Sequence, residues 1–403
     1  MAIDTPARIV IIGAGPIGLE AALYARYLGY EVAVYDRGAV GEHIRRWGHV
    51  PMFTPWKANV TPLGLAALRA QDDAWQLPGA DDLPTGVEFL ERYVAPLAAS
   101  DLLSDGIYQQ TAVVAVAKQS LLKGELAGDP ARGDENFRVL LRTADGNERY
   151  DEADAVIDCS GTFGRHAALG AGGLPAIGEA AVADVIEYGI PDVLGAARNL
   201  YAGAHVLVVG AGHSAATTVV ALAGLEPRPN VTWLTRREPA VTEGPVRSIA
   251  NDPLAQRERL VREANRLAAN VDPAVRHLPG TRIEAIHRDP QRNGSLRVTV
   301  AGLTSDTITV DRIIANVGYR PDGSIFSELQ VGPSGTTDGL ADPTGGPPSL
   351  LTGEPNFYVL GAKSFGRNSH FLLSDGHRQI RDLFTIVGDR AALDLYRTMP
   401  AWA

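Results

Sequence analysis

Cysteine is almost missing from this chain: among 403 residues there is one, Cys159. A lone thiol closes no intramolecular disulfide, so the chain suits a reducing compartment, and it lacks any Cys-x-x-Cys pair for thiol exchange. Positive charge is also in deficit, with a formal net charge of -10 and a pI near 5.4. That argues against a nucleic-acid partner, because such binding relies on a basic surface that neutralises phosphates. No apolar run approaches the roughly 20 residues that span a bilayer. The N-terminus has no charged region followed by a long apolar stretch and a small-residue cleavage site; a glycine-broken strand begins almost at once. These absences lead to the expectation of a cytoplasmic protein with no membrane partner, and no metal-ligating residues stand out.

What is present is an ordinary composition for a soluble enzyme, 45% hydrophobic, with length for two or three packed domains. From Arg8 to Asp36 the order is an apolar run, Gly13-Ala14-Gly15-Pro16-Ile17-Gly18, a helical pattern (Leu19, Ala22, Leu23, Leu28), then "EVAVYD". This is strand, turn, helix and strand ending in an acid, the length of one βαβ unit. Gly13 permits the tight turn, Gly15 lets the backbone approach a diphosphate, and Gly18 lets helix and strand pack closely. Asp36, followed by Arg37, stands where a carboxylate hydrogen-bonds ribose hydroxyls.

The grammar returns at "HVLVVG", Gly210-Ala211-Gly212-His213-Ser214-Ala215, a helix to about Gly224 and "VTWLTRR". Here the third glycine is Ala215, and Arg236 and Arg237 close the second strand in place of an acid. Paired guanidinium groups there suit a 2′-phosphate and so favour NADPH over NADH; the other use of such a pair is a solvated strand end. Each unit is followed by a polar hairpin, "RVLLRTADGNERY" and "LRVTVAGLTSDTITV", and then by a closing strand. The closures, Asp154 to Gly161 and Asp311 to Gly318, share one spacing from acid to glycine. Two copies of one plan imply two nucleotide-binding domains.

These motifs resemble the flavoprotein family with two dinucleotide-binding domains, which includes thioredoxin reductases, flavin-containing monooxygenases and glutathione-reductase-like enzymes. "VIDCSGTFG" and "ANVGYRPD" carry the likeness across nearly the whole chain. The resemblance implies an α/β fold of two Rossmann-like domains, the NAD(P)H domain inserted in the FAD domain, with FAD and NADPH as cofactors. The expected division is 1–170 for the first part of the FAD domain, with a loop insertion at about 40–105, then 171–317 for the NADPH domain and 318–403 for the return of the FAD domain. The stretch after Tyr319 suits a last strand ending at Gly361 and a helix beginning near Ser374, with no room for a C-terminal interface domain. By resemblance that helix points its positive N-terminus at the flavin pyrimidine edge, with His377 and Arg378 either adding charge there or standing solvated.

The loop "GEHIRRWGHVPMFTPWKANVTPLG" resembles the tryptophan-bearing loop that passes over FAD in the monooxygenases, which places Arg46 and Trp47 against the cofactor. His49 and Asn59 are the candidates for the substrate side, His49 as a proton shuttle; the alternative is core tryptophans and a satisfied polar histidine. Ile17 stands where some single-cysteine disulfide reductases of the superfamily carry their cysteine, and Cys159, at the end of an apolar strand, reads as inert packing.

The leading expectation is an NADPH-dependent FAD monooxygenase acting through a flavin C4a-hydroperoxide on a small nucleophilic substrate, with O2 as co-substrate. The alternative is an NADPH-dependent reductase for a ferredoxin, quinone or other small acceptor, without a redox disulfide. A noncatalytic NADPH sensor is a third class, opposed by the intact first glycine motif. The fingerprint Phe-x-Gly-x-x-x-His of the monooxygenase branch is absent; "EYGIPDVLGAARNLYAG" stands in its place. The sequence is silent on oligomeric state, a homodimer being common among soluble oligomers.

Overall fold

The computed structural model describes residues 3–238, 244–271, 273–332, 338–340 and 349–399. The chain divides into two compact units, one formed by residues 1–165 and 320–403 and the other by 166–319.

In chain order the strands of unit 1 are β1 (Arg8–Ile12), β2 (Glu31–Tyr35), β3 (Ile107–Tyr108), β4 (Thr111–Lys118), β5 (Phe137–Thr143), β6 (Glu148–Ala153) and β7 (Ala155–Asp158). Unit 2 contributes β8 (Ile186–Glu187), β9 (His205–Val209), β10 (Asn230–Leu234), β11 (Val275–Leu278), β12 (Thr281–Arg288), β13 (Leu296–Gly302), β14 (Asp306–Val310) and β15 (Arg312–Ala315). The chain then returns to unit 1 for β16 (Phe357–Val359). The helices used below are α1 (Pro16–Tyr27), α2 (Glu42–Arg46), α3 (Trp56–Asn59), α4 (Pro62–Gln71), α5 (His213–Ala223), α6 (Ala255–Arg266) and α7 (Leu373–Val387).

Unit 1 is built on a parallel sheet in the order β16-β7-β1-β2-β3, and unit 2 on one in the order β11-β10-β9-β15-β8. Strand alternation explains how β1 serves two layers. Ile9 and Ile11 face a core shared with α1 and α7, where Tyr24 stacks on Phe384 at 4.9 Å. Val10 and Ile12 face the other way, toward Phe137, Val139 and Phe357. Unit 2 repeats this arrangement, with Val206 and Val208 facing α5 and α6, and Leu207 and Val209 facing the opposite layer.

That opposite layer is a three-stranded antiparallel meander in each unit, β4-β5-β6 and β12-β13-β14. The hairpins read in the sequence are its last two strands, and β4 and β12 are a third that the sequence pattern did not disclose. Both added strands carry a bulge at the same offset, between Val113 and Ala115 and between Ile283 and Ala285. The closing acids also match: Asp154 accepts from the Arg8 amide at 2.7 Å, and Asp311 from the His205 amide at 2.9 Å. Each acid thereby fastens the start of the closing strand to the start of the first one.

The segment after Asp36 alternates non-helical stretches with short helices, α2, α3, α4 and a stretch over 86–98 that opens on a Thr85–Glu88 capping box. It covers α1, and a buried carboxylate sits in the contact. Glu20, on α1, accepts from Thr61 Oγ1 at 2.6 Å and from the Tyr93 hydroxyl at 3.3 Å, with the Tyr396 hydroxyl also facing it. Burial outweighs these hydrogen bonds and pushes the Glu20 carboxyl up to about 7.

A carboxyl whose folded pKa lies above its unfolded one binds its proton more tightly in the native state, so the contribution of Glu20 to stability is full below its ordinary value of 4.5 and is lost as pH rises from there to about 7. Glu20→Gln removes that dependence. The variant is expected to match the parent at pH ~4 and to exceed it by about 3 kcal/mol at pH ~8, read as denaturant midpoints across that range; parallel pH profiles for the two proteins would refute it.

Candidate functional site

In unit 1 the first glycine turn is forced by sterics. Gly13 sits at φ +104°, where a Cβ would stand 2.8 Å from the Cys159 carbonyl oxygen. Gly18 lies against the turn itself, since a Cβ there would be 1.9 Å from the Gly13 carbonyl oxygen. Gly15 is different: it is the N-cap of α1, offers no side-chain cap, and a Cβ on it would meet nothing within 4 Å. The start of α1, with Pro16 in its first turn, therefore presents backbone N–H groups to open space. Gly161, at φ +68°, borders open space as well.

Asp36 is engaged by the turn. Its Oδ2 accepts from the Ala14 amide at 2.7 Å and its Oδ1 from the Gly38 amide at 2.8 Å, leaving further lone pairs on both oxygens. Arg37 is exposed, lies over Gly164 and comes within 3.4 Å of His43 Nε2. His43 is held below the usual imidazole range by burial, reinforced by Arg46 and Arg37. Arg46 itself is exposed and paired with Glu42 at 2.6 Å.

Trp47 is half-buried, its ring packed over Gly86, where a Cβ would be 2.5 Å away, and its indole Nε1 is buried with no hydrogen-bond partner. His49 is half-buried in the turn that follows. Asn59 is only 1% exposed and is locked to Thr54, receiving that hydroxyl at 2.7 Å and donating to the Thr54 carbonyl at 2.9 Å. Its helix α3 packs against α7.

Ile17 is wedged between Gly361, 3.5 Å from where a Cβ would stand, and Gly376 in the first turn of α7. Ser374 is in that turn, half-buried. The charge expected there is corrected by the structure. Asp375 caps the helix by accepting from the Leu372 amide at 2.8 Å, and Arg378 pairs with Asp375. Burial lowers His377 to about 4, so it is neutral at pH 7 and adds no positive charge.

Sequence reasoning passed over a buried ion pair beside this site. Lys363 Nζ lies 2.5 Å from Asp158 Oδ2 and 3.0 Å from Ser160 Oγ, and both charged side chains are buried. It joins the ends of β7 and β16, which lead into Gly161 and Gly361. The signal was present as an acid inside the apolar strand "AVID" and a lysine just past "FYVLG", because a charge in a buried strand requires a partner. Cys159 follows Asp158, and burial, then the Asp158 charge, push its thiol well above the usual range.

Unit 2 holds the second turn. Gly210 sits at φ +137°, with a Cβ position 2.2 Å from the Asn316 carbonyl oxygen, and Trp233 donates from Nε1 to the Gly210 carbonyl at 2.8 Å. Gly212 is the N-cap of α5, without a side-chain cap and with nothing within 4 Å of a Cβ. His213 and Ser214 form the first turn, and Ala215 is fully buried where the first unit has its third glycine. Arg236 and Arg237 are exposed just past β10.

The architecture is an α/β fold of two Rossmann-like units. Residues 8–40 match the family model described as pyridine nucleotide-disulphide oxidoreductase. No curated protein matches the sequence significantly. Among solved structures the chain is similar to the bacillithiol disulfide reductase of Bacillus cereus, at 19% identity and TM-score 0.69 over 95% of this chain and 99% of that one. It is also similar to the FAD-bound cadaverine monooxygenase of Erwinia amylovora, at 13% identity and TM-score 0.68 over 99% and 100% of the two chains. A third is the ornithine N-hydroxylase of Kutzneria sp. 744, at 16% identity and TM-score 0.63 over 96% and 100%.

Lys363→Met leaves Asp158 buried without a counter-charge and is expected to cost about 3–5 kcal/mol of stability. Combining it with Asp158→Asn should recover most of that loss in a denaturant double-mutant cycle, and additive effects would show that the two groups do not act as a pair.

Proposed function

We propose that the chain is an FAD- and NADPH-dependent monooxygenase that places one atom of O2 on a small nucleophilic substrate and reduces the other to water. The open backbone at Gly15 and Gly161 and the uncapped start of α1 fit a dinucleotide diphosphate in unit 1, which we assign to FAD. Gly212 and the uncapped start of α5 fit a second one in unit 2, assigned to NADPH through Arg236 and Arg237. When bound, FAD supplies the electron-transfer chemistry between reduced nicotinamide and acceptor.

The residues of the chain then have separate tasks. Asp36 pins the turn while keeping lone pairs for ribose hydroxyls, Arg37 and Arg46 add positive charge around the first site, and Trp47 shields the cofactor from water. His49 handles a proton on the substrate side, and Asn59 braces that side through Thr54. Ser374 and Gly361 complete the cofactor wall beside Ile17. The site is that of a soluble-type enzyme with a small-molecule substrate, in the cytoplasm.

The observation that carries this reading is the state of the only thiol. Cys159 is half-buried, its thiol held protonated by its surroundings and by Asp158, and Ile17 stands, by resemblance, where some single-cysteine disulfide reductases carry their cysteine. Electrons reaching the flavin therefore have no thiol relay to enter, which supports O2 or a small molecule as acceptor. The two hydroxylating neighbours support O2. A reductase for a ferredoxin, quinone or other small acceptor is the second reading, favoured by the disulphide-oxidoreductase match over residues 8–40 and the reductase neighbour.

Two measurements test this. Protein reduced anaerobically with NADPH and mixed with oxygenated buffer in a stopped-flow instrument should pass through a long-lived absorbing transient before the oxidised flavin spectrum returns. Direct return with all electrons recovered as hydrogen peroxide would overturn the monooxygenase and leave the reductase. Arg236→Ala with Arg237→Ala should raise KM for NADPH about ten- to a hundredfold with little change for NADH; equal changes for both would refute the 2′-phosphate assignment.

A further inference from the structure

The second glycine turn has a feature that its first-unit counterpart lacks. Gly13 abuts the carbonyl of Cys159, and Gly210 abuts the carbonyl of Asn316, so these two residues occupy one position in the repeated plan. Cys159 carries a side chain with little hydrogen-bonding capacity. Asn316 carries an amide, 9% exposed, whose Nδ2 donates to the Gly189 carbonyl at 2.7 Å. The other end, Oδ1, is buried and accepts from nothing.

A buried amide oxygen without a donor costs free energy that packing does not return, which is the reason such groups are rare. Its orientation is not free to relax, because rotating the amide would break the bond to Gly189 and place Oδ1 against that carbonyl. The acceptor is thus held in place beside the turn by the rest of the unit. Trp233, fully buried, fixes the same turn by donating to the Gly210 carbonyl.

Strand order says which half of a bound dinucleotide reaches Asn316. The sheet runs β11-β10-β9-β15-β8, so the chain reverses direction across the sheet between β9 and β15. A dinucleotide lies across that switch point, its adenosine half toward the end of β10 and its other half toward β15. Arg236 and Arg237 follow β10, and Asn316 follows β15.

We propose that Asn316 Oδ1 accepts a hydrogen bond from the nicotinamide-nucleoside half of NADPH, from a ribose hydroxyl or the carboxamide N–H. This rests on the reading of unit 2 as the NADPH site and names a residue that selects the nicotinamide half of the ligand.

The test is equilibrium binding of NADP+ and of adenosine 2′,5′-bisphosphate, which lacks the nicotinamide half, to the flavin-loaded protein and to Asn316→Ala and Asn316→Ser. The expected result is NADP+ binding about three- to tenfold weaker in both variants, with the bisphosphate unchanged, which also certifies that the turn is intact. No loss for NADP+, or an equal loss for both ligands, would overturn the proposal. If Asn316→Ala does not fold, Asn316→Ser alone decides by the same comparison. Failure of the parent protein to bind either ligand would instead sink the assignment of unit 2 to NADPH, a separate outcome read before any variant.

Discussion

The contact on which both units turn is the approach of a glycine to the carbonyl at the end of the closing strand. At Gly13 and Gly210 a methyl group would stand 2.8 Å and 2.2 Å from that oxygen, well inside van der Waals contact. The turn can therefore close only without a side chain and only at positive φ. Once it closes, the next helix starts directly over the strand ends, its first N–H groups uncapped and facing open space. The dinucleotide chemistry assigned to each unit is a consequence of that one steric requirement.

Around this contact the two units keep the same scaffold and diverge in charge. The bulges in β4 and β12 and the acids Asp154 and Asp311 hold the frame alike. At the end of the second strand, Gly13 and Gly210 donate to the carbonyls of Tyr35 and Leu234, which makes Asp36 the counterpart of Thr235 and Arg37 that of Arg236. An acid suits free ribose hydroxyls and an arginine pair suits a phosphate, so the difference separates the two ligands proposed. At the closing strand, Asp158 is the counterpart of Ala315, and its burial obliges Lys363 to accompany it.

That obligation reaches the redox chemistry. Asp158 places a negative charge next to Cys159 in a buried setting, and both effects keep the thiol protonated. A fold shared with disulfide reductases thus holds its only thiol in a form unsuited to exchange. A second charged cluster, the buried Arg132 bound in bidentate fashion to Glu354 with Lys118 at 3.9 Å, ties the excursion before β5 to the approach to β16. Each cluster fixes strands that carry the proposed cofactor-binding glycines.

The sequence by itself determined the repeated strand–turn–helix plan, the steric roles of Gly13 and Gly18, the arginine pair after β10 and the want of a Cys-x-x-Cys pair. These are local: they depend on residue type and spacing within one βαβ unit, which is the range over which pattern is informative. Only the tertiary structure decided the rest. It set short helices on either side of the turn that carries Trp47 and His49, removed the charge expected of His377 by burying it, locked Asn59 to Thr54, and brought Lys363 to Asp158 across 205 positions of chain. It also left Asn316 Oδ1 as a fixed, unpaired acceptor. Burial and pairing are set by neighbours distant in sequence, and it is they that determine whether a polar side chain is charged, engaged or still open to a ligand.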